Sequence, residues 1–267
     1  MIEAILWDVD GTLAETERDG HRLAFNQAFQ AANVPWRWHE QHYGVLLAVS
    51  GGRERLLHDM RFQEQAPIDL KDREQLAERL HRLKNELYAD IVEQGRLKLR
   101  DGVRELIDDC VRARVRMGIV TTTSRCNVGA LLSSQLGGRW ESMFSAIVCA
   151  EQAPKKKPNP QAYLLALQAL QVPPGAALAI EDAPAGMAAA QAAGVPVIVT
   201  RSHYFPAVLP SALLPSAELT SAELEPGVLA AGPSLGRVQG WSPPADPGVT
   251  RIGLDQLHRW RSAPTNL

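Results

Sequence analysis

The chain has 267 residues, 45% of them hydrophobic, with 28 Lys and Arg against 30 Asp and Glu. Its length predicts one large domain or a large domain with an insert, since domains run to roughly 100–200 residues. The formal charge of −2 excludes the basic field that would hold a nucleic-acid backbone or an anionic membrane surface. Three scattered cysteines, Cys110, Cys126 and Cys149, form no CxxC pair. That pattern speaks against a disulfide framework or structural zinc and for a reducing compartment. The N-terminus carries an acid where a signal peptide needs a basic flank, and no stretch approaches the ~18 apolar residues of a membrane span. A soluble cytoplasmic protein with no nucleic-acid or membrane partner is expected.

Residues 3–7 form a short apolar run stopped by Asp8-Val9-Asp10-Gly11, the pattern of a strand buried on both faces. The next 80 or so residues hold no convincing strand. Helical spacing instead covers 15–33, 37–48, 51–65 and 69–94, which predicts an inserted all-helical domain over 15–97. Apolar runs then recur at 116–120, 145–149, 177–180 and 195–200, alternating with helical patterns at 103–114, 127–136, 160–171 and 184–193. This alternation predicts a parallel sheet covered on both faces, built from residues 1–14 and 98–267. A Pro-rich stretch at 201–249 reads as irregular, with one strand near 212–220, and a last strand-turn-helix is expected at 250–262.

Four groups of polar residues fall at strand carboxyl ends, where open parallel sheets bind ligands. Asp8 and Asp10, two residues apart, project to one side, and paired acids call for a cation or a proton. Thr121-Thr122-Thr123-Ser124 follows the strand RMGIV and precedes a helix, an arrangement of hydroxyls and helix amides suited to a phosphate. In Lys155-Lys156-Lys157-Pro158, the last lysine is given a fixed direction by Pro158, while the other two read as solvated. Glu181-Asp182 follows ALAI and suits a hard divalent cation such as Mg²⁺.

Asp8-Val9-Asp10-Gly11-Thr12, Thr121, Lys157-Pro158 and Glu181-Asp182 resemble, in order and spacing over residues 1–200, the four motifs of the haloacid dehalogenase superfamily. The helical insert resembles the C1 cap of its β-phosphoglucomutase and phosphoglycolate phosphatase branch. The segments Leu13–Arg22, Ser50-Gly51-Gly52-Arg53-Glu54 and Arg201-Ser202-His203-Tyr204 resemble the CbbY-like phosphatases, which are associated with the Calvin cycle and include members acting on xylulose 1,5-bisphosphate. Trp7 stands where Phe is usual, and the Pro-rich stretch 206–249 is longer than the resemblance explains.

The resemblance implies a Rossmann-like α/β core with a helical cap and a Mg²⁺-dependent phosphatase acting on a small phosphorylated sugar, as a monomer or weak dimer. It assigns Asp8 as nucleophile, Asp10 as general acid and base, and Thr121 with the Thr122 amide as phosphoryl ligands. Lys157 offsets charge. The metal falls to Asp8, the Asp10 carbonyl and Asp182, with Glu181 outside them. Substrate selection is expected from the cap. Glu17 and His21 lie close to Asp10 in sequence, Arg53 offers a planar fork to a distal phosphate, and Lys84-Asn85 resembles a substrate-facing cap pair. A sugar phosphomutase shares every core motif, so the phosphatase reading rests on the finer resemblance. A dehalogenase needs neither the metal nor the second aspartate. An inactive binding or regulatory protein would lack a core residue, and none is lacking.

Overall fold

The computed structural model describes residues 2–206, 253–255, 257 and 258. Five strands, β1 (Ala4–Trp7), β2 (Arg116–Val120), β3 (Ala146–Val148), β4 (Ala177–Glu181) and β5 (Val197–Val199), form one parallel sheet in the order β3-β2-β1-β4-β5. β1 is central because it is apolar on both faces. Ile5 and Trp7 join the core on one side with α5 (Val103–Ala113) and α6 (Arg125–Leu136), while Ala4 and Leu6 face α7 (Gln161–Leu170) and α8 (Pro184–Ala192). The expected strand near 212–220 and most of the strand-turn-helix at 250–262 lie outside the described residues. Leu254 and Leu257 are helical and buried in the first of these core layers.

Between β1 and α5 the regular elements are helices: a π-helical turn at Glu17–His21 runs into α1 (Arg22–Ala31), followed by α2 (Glu40–Leu46), α3 (Gly52–Asp59) and α4 (Leu70–Glu93). These helices enclose a cluster of their own, including Phe25, Phe29, Trp38, Tyr43 and Leu80. The chain crosses between helices and sheet at two adjoining points, where Ala14 bridges Leu99 and the Arg100 amide donates to Leu13 at 2.9 Å. Asp69 caps α4, its carboxylate accepting from the Lys71 and Asp72 amides at 2.8 and 3.4 Å. The far half of α4 carries Tyr88, Ile91 and Val92 into the core that also holds β1. Among the described residues no helix is long and apolar enough to cross a membrane.

Two helices are shorter than their sequence patterns. The Asn26 side chain binds both the amide and the carbonyl of Trp38, at 2.7 and 3.0 Å, which holds 36–38 out of the helix so that α2 starts only at Glu40. α3 ends at Asp59, not near 65, and the buried Asp59 carboxylate gathers Trp38 Nε1, His42 Nε2 and Gln63 Nε2 at 2.6–2.9 Å. The first cap helix also opens as a π-turn, which sequence periodicity does not encode.

Leu80 is fully buried in the cap cluster, whereas Asp90 on the same helix is exposed. Leu80→Ala is expected to lower unfolding stability by about 2–5 kcal/mol, and Asp90→Ala by no more than about 0.5 kcal/mol. Urea titrations followed by tryptophan fluorescence measure both.

Candidate active site

β1 delivers its carboxyl end straight into a charged centre. The Asp8 amide still pairs with the Ile180 carbonyl at 3.1 Å, so Asp8 sits at the sheet edge with a fixed backbone. The chain then turns sharply at Gly11, whose φ of +83° few L residues adopt, and the Val9 carbonyl accepts from the amides of Thr12 and Leu13. A Cβ at Gly11 would lie 2.0 Å from Asp182 Oδ2. Only glycine lets that carboxylate approach.

Lys157, carried by the loop before α7, is buried among acceptors. Its Nζ donates to Asp8 Oδ1 at 2.7 Å, Glu181 Oε1 at 2.6 Å and the Val120 carbonyl at 2.8 Å. Glu181 also accepts from the buried Tyr163 hydroxyl and lies over Gly186, where a Cβ would meet Glu181 Oε2 at 1.9 Å. Asp8, Glu181 and Asp182 each bring a carboxylate oxygen within 4.8 Å of the other two. Burial, opposed by Lys157 and reinforced by Glu181 and Asp10, pushes the Asp8 carboxyl up to about 8. Asp182 is likewise pushed well up by burial and by Asp8, although Ser202 hydrogen bonds to it. Of these three buried carboxylates the Lys157 ammonium bonds two, and Asp182 lies beyond its reach. The donor set is all oxygen and short of positive charge, which fits a hard divalent cation.

Asp10 borders the same small cavity as Asp8 but binds other partners. Its Oδ1 accepts from Thr16 Oγ1 at 2.5 Å and lies 2.8 Å from His21 Nε2, both on the first turns of the cap. Burial alone would raise the Asp10 carboxyl, but His21 and Thr16, with Lys84 behind them, hold it down at about 2. Its carboxylate stands outside the Asp8–Glu181–Asp182 cluster.

Thr121 is buried at the end of β2, its hydroxyl accepting from the Thr123 amide at 3.2 Å. Thr122 lines the cavities on both sides. The smaller, 70 Å³, holds Asp8, Lys157 and Asp182 under Leu47, Ser50 and Phe205. The larger, 390 Å³, opens between cap and core. Asp10, Glu17, Arg55 and Thr122 form the wall they share.

The cations expected from the cap do line the larger cavity. Arg53 pairs with Glu78 at 3.4 Å and remains partly exposed. Lys84 is buried between the rings of Phe25 and Tyr88, at 5.2 and 5.3 Å, and donates to Asn85 Oδ1 at 3.3 Å. Burial outweighs the pull of Asp10 and Glu17 and lowers the Lys84 ammonium to about 8. Lys156, expected to be solvated, is half-buried against this cavity with its Nζ on the Ala150 carbonyl at 2.7 Å, because the loop folds back on itself. Lys155 is exposed as expected.

Several participants escape sequence reasoning. Arg55 is buried, donates to the Tyr43 hydroxyl at 2.8 Å and lies 3.7 Å from Glu17, while Arg53 alone attracts notice beside the glycines. Tyr163 reads as an ordinary core aromatic on α7. Asn127 Nδ2 donates to Asn85 Oδ1 at 3.0 Å, joining α6 to the cap. Each depends on a partner far away in sequence.

The Lys84 environment is directly observable. In protein labelled with ¹³Cε-lysine, one side-chain resonance is expected to titrate near pH 8. Asp10→Asn removes a charge that favours the ammonium and should lower that midpoint further.

A family model for haloacid dehalogenase-like hydrolase matches residues 2–194. The chain is 41% identical over 203 residues to Protein CbbY of Rhodobacter capsulatus, covering 76% of this chain and 87% of that protein. It also resembles the crystal structure of a CbbY variant from Rhodobacter sphaeroides in complex with xylulose-(1,5)bisphosphate, with TM-score 0.72 and 41% identity over 76% of this chain and 88% of the other. A phosphorylated carbohydrates phosphatase of Thermotoga maritima is 28% identical, covering 73% of this chain and 82% of that protein. With its carboxylate–lysine centre at the carboxyl edge of the parallel sheet, the chain belongs to the haloacid dehalogenase-like hydrolase family, as one of its phosphatases.

Proposed function

We propose that this phosphatase hydrolyses a small phosphorylated sugar, xylulose 1,5-bisphosphate or a related sugar bisphosphate, through an aspartyl-phosphate on Asp8. The observation that carries the reading is the pair of adjoining cavities. The smaller leaves about 70 Å³ beside Asp8 and Lys157, and the larger, on the other side of Asp10 and Glu17, is rimmed by Arg53, Lys84 and Lys156. One phosphoryl group fits the first, and a sugar carrying a second anion fits the second. The complex of the related CbbY variant with xylulose-(1,5)bisphosphate supports the same substrate class. Such a substrate belongs beside the Calvin cycle, and residues 15–97 act as the selecting cap over a core made of 1–14 and 98–267.

Asp8 attacks phosphorus while Lys157 fixes its carboxylate and offsets the charge of both partners. As the bond to the sugar oxygen breaks, Asp10 gives that oxygen a proton. Asp10 then takes a proton from the water that attacks the phosphorus of the aspartyl-phosphate, which frees inorganic phosphate and restores both carboxyl groups. A carboxyl held at about 2 is ionised at neutral pH, and this suits the second step. For the first, Asp10 has to take up a proton as the substrate binds, from solvent or from a monoanionic phosphoryl group, and the added negative charge favours that uptake. Thr121 and the Thr122 amide orient the phosphoryl oxygens. Mg²⁺ would be held by Asp8, the Asp10 carbonyl and Asp182, with Glu181 behind them. When bound it neutralises charge on the phosphate and on the carboxylates. Glu17 and His21 meet the sugar hydroxyls.

Release of inorganic phosphate from a panel of sugar mono- and bisphosphates tests the activity; isomerisation of a sugar monophosphate without phosphate release would mark a mutase. Asp8→Asn keeps the shape of the nucleophile and removes its charge. It is expected to reduce kcat by well over about a hundredfold, the scale of a lost covalent nucleophile. Chelation of divalent ions, or Asp182→Ala, should abolish most turnover, and full activity in excess chelator would contradict the metal assignment. Arg53→Ala and Lys84→Ala are each expected to lower kcat/KM for the bisphosphate by about tenfold, the worth of one charged hydrogen bond. An aryl monophosphate, with no second anion, should lose much less; equal losses on both would show that these residues act on folding or cap closure.

A further inference from the structure

The motif Arg201-Ser202-His203-Tyr204 has no part in the chemistry above, yet its position is unusual. After β5 the chain leaves the sheet and reaches onto the cap. The His203 amide donates to Glu15 Oε2 at 3.2 Å. Arg18 Nη1 lies 3.2 Å from His203 Nδ1, and His203 Nε2 lies 2.5 Å from Glu40 Oε1. Arginine can only donate, so Nδ1 accepts and Nε2 carries the proton given to Glu40. One imidazole therefore links the first cap turn and α2 to the core.

Tyr204 goes further into the cap. Its ring stands 5.8 Å from that of Tyr43 at 60°, against the cap's own apolar cluster. It passes so close to α2 that a Cβ at Gly44 would lie 3.1 Å from Tyr204 Cδ1. Tyr43 in turn donates its hydroxyl to Glu17 Oε2 at 2.5 Å and accepts from Arg55 Nη1 at 2.8 Å. Glu17 and Arg55 belong to the wall between the two cavities. At the root of the same segment, Ser202 bonds Asp182, and Phe205 at its end roofs the small cavity.

We propose that His203 and Tyr204 are positioning residues: they seat the cap on the core and, through Tyr43, fix Glu17 and Arg55 against the substrate. The kinetic consequence rests on the sugar-phosphate reading above; the structural consequence does not. Tyr204 supplies a rigid ring in a gap that Gly44 leaves open, so its loss frees Tyr43 and with it the Glu17 carboxylate. Glu17 and Arg55 would hold the substrate equally in its ground and transition states, so loosening them raises KM and leaves kcat nearly unchanged.

Two measurements test this. Tyr204→Ala is expected to raise KM for xylulose 1,5-bisphosphate about tenfold while kcat stays within about threefold, and Tyr204→Phe, which keeps the ring, should restore the wild-type KM. In a Glu17→Gln background the Tyr204→Ala effect should shrink to less than about threefold, because residues acting through one another are not additive. Fully additive losses would overturn the proposal, as would an unchanged KM in Tyr204→Ala. Independently of activity, hydrogen exchange of the Tyr43 and Leu47 amides, which bond to the His39 and Tyr43 carbonyls within α2, should quicken in Tyr204→Ala and not in Tyr204→Phe. Unaltered α2 exchange in Tyr204→Ala would also overturn it. Wild-type protein that released no phosphate from this bisphosphate would count against the substrate reading, and the exchange result would still decide the role of Tyr204.

Discussion

The structure turns on one ammonium group. Lys157 Nζ, buried between Asp8 and Glu181, bonds two of three carboxylates that lie within 4.8 Å of one another, and among the described residues no other cation is shown bonded to those two. Desolvation of charge is expensive, and close like charges add to the cost. The fold meets this with Lys157, with the Tyr163 hydroxyl on Glu181 and with the Ser202 bond to Asp182. What remains is a deficit of positive charge on Asp8 and Asp182, at the place where a divalent cation would restore balance and offset the charge of an incoming phosphate. Gly11 and Gly186 belong to the same constraint, since each leaves out a Cβ that would collide with one of the acids.

Everything else positions that centre or limits access to it. β1, β2 and β4 are short, apolar and in parallel register, so their carboxyl ends bring Asp8, Thr121 and Glu181 to one edge. The two chain crossings at Ala14 and Leu99 then place the cap directly above. Asp10 is where the layers meet: backbone from the core, side chain bound to Thr16 and His21 of the cap. A carboxylate tied in this way has its position set by the cap as well as by the core. The two cavities differ in lining, with the buried acids and Lys157 on one side of Asp10 and the cap residues Arg53 and Lys84 on the other.

Much of this architecture is legible in the sequence. The strands betray themselves as apolar runs ending in Asp, Thr or Glu, and the chemistry sits at those ends because parallel sheets gather ligands there. Lys157 is distinguishable from its two neighbours by Pro158 alone. What stays hidden is whatever depends on which groups the folded chain brings together, most of them distant in sequence. Arg55 looks like any helical arginine until Tyr43 and Glu17 bury it, and Tyr163 looks like core until Glu181 meets its hydroxyl. Lys156 reads as solvated because the carbonyl that holds it comes from the turn of its own loop. The late start of α2 follows from Asn26, twelve residues away from Trp38. Local pattern specifies elements and their ends; side-chain pairing across elements requires the fold.

The central claim is that the Asp8 carboxylate, held by Lys157 at the sheet edge, accepts the phosphoryl group. Acyl phosphates are reduced by borohydride, so acid-quenching the protein during turnover of a sugar bisphosphate and reducing it should convert Asp8 to homoserine. The account predicts that peptide mass spectrometry finds this conversion at Asp8, only in the presence of substrate and not in Asp8→Asn. Continued phosphate release with Asp8 unmodified would contradict it.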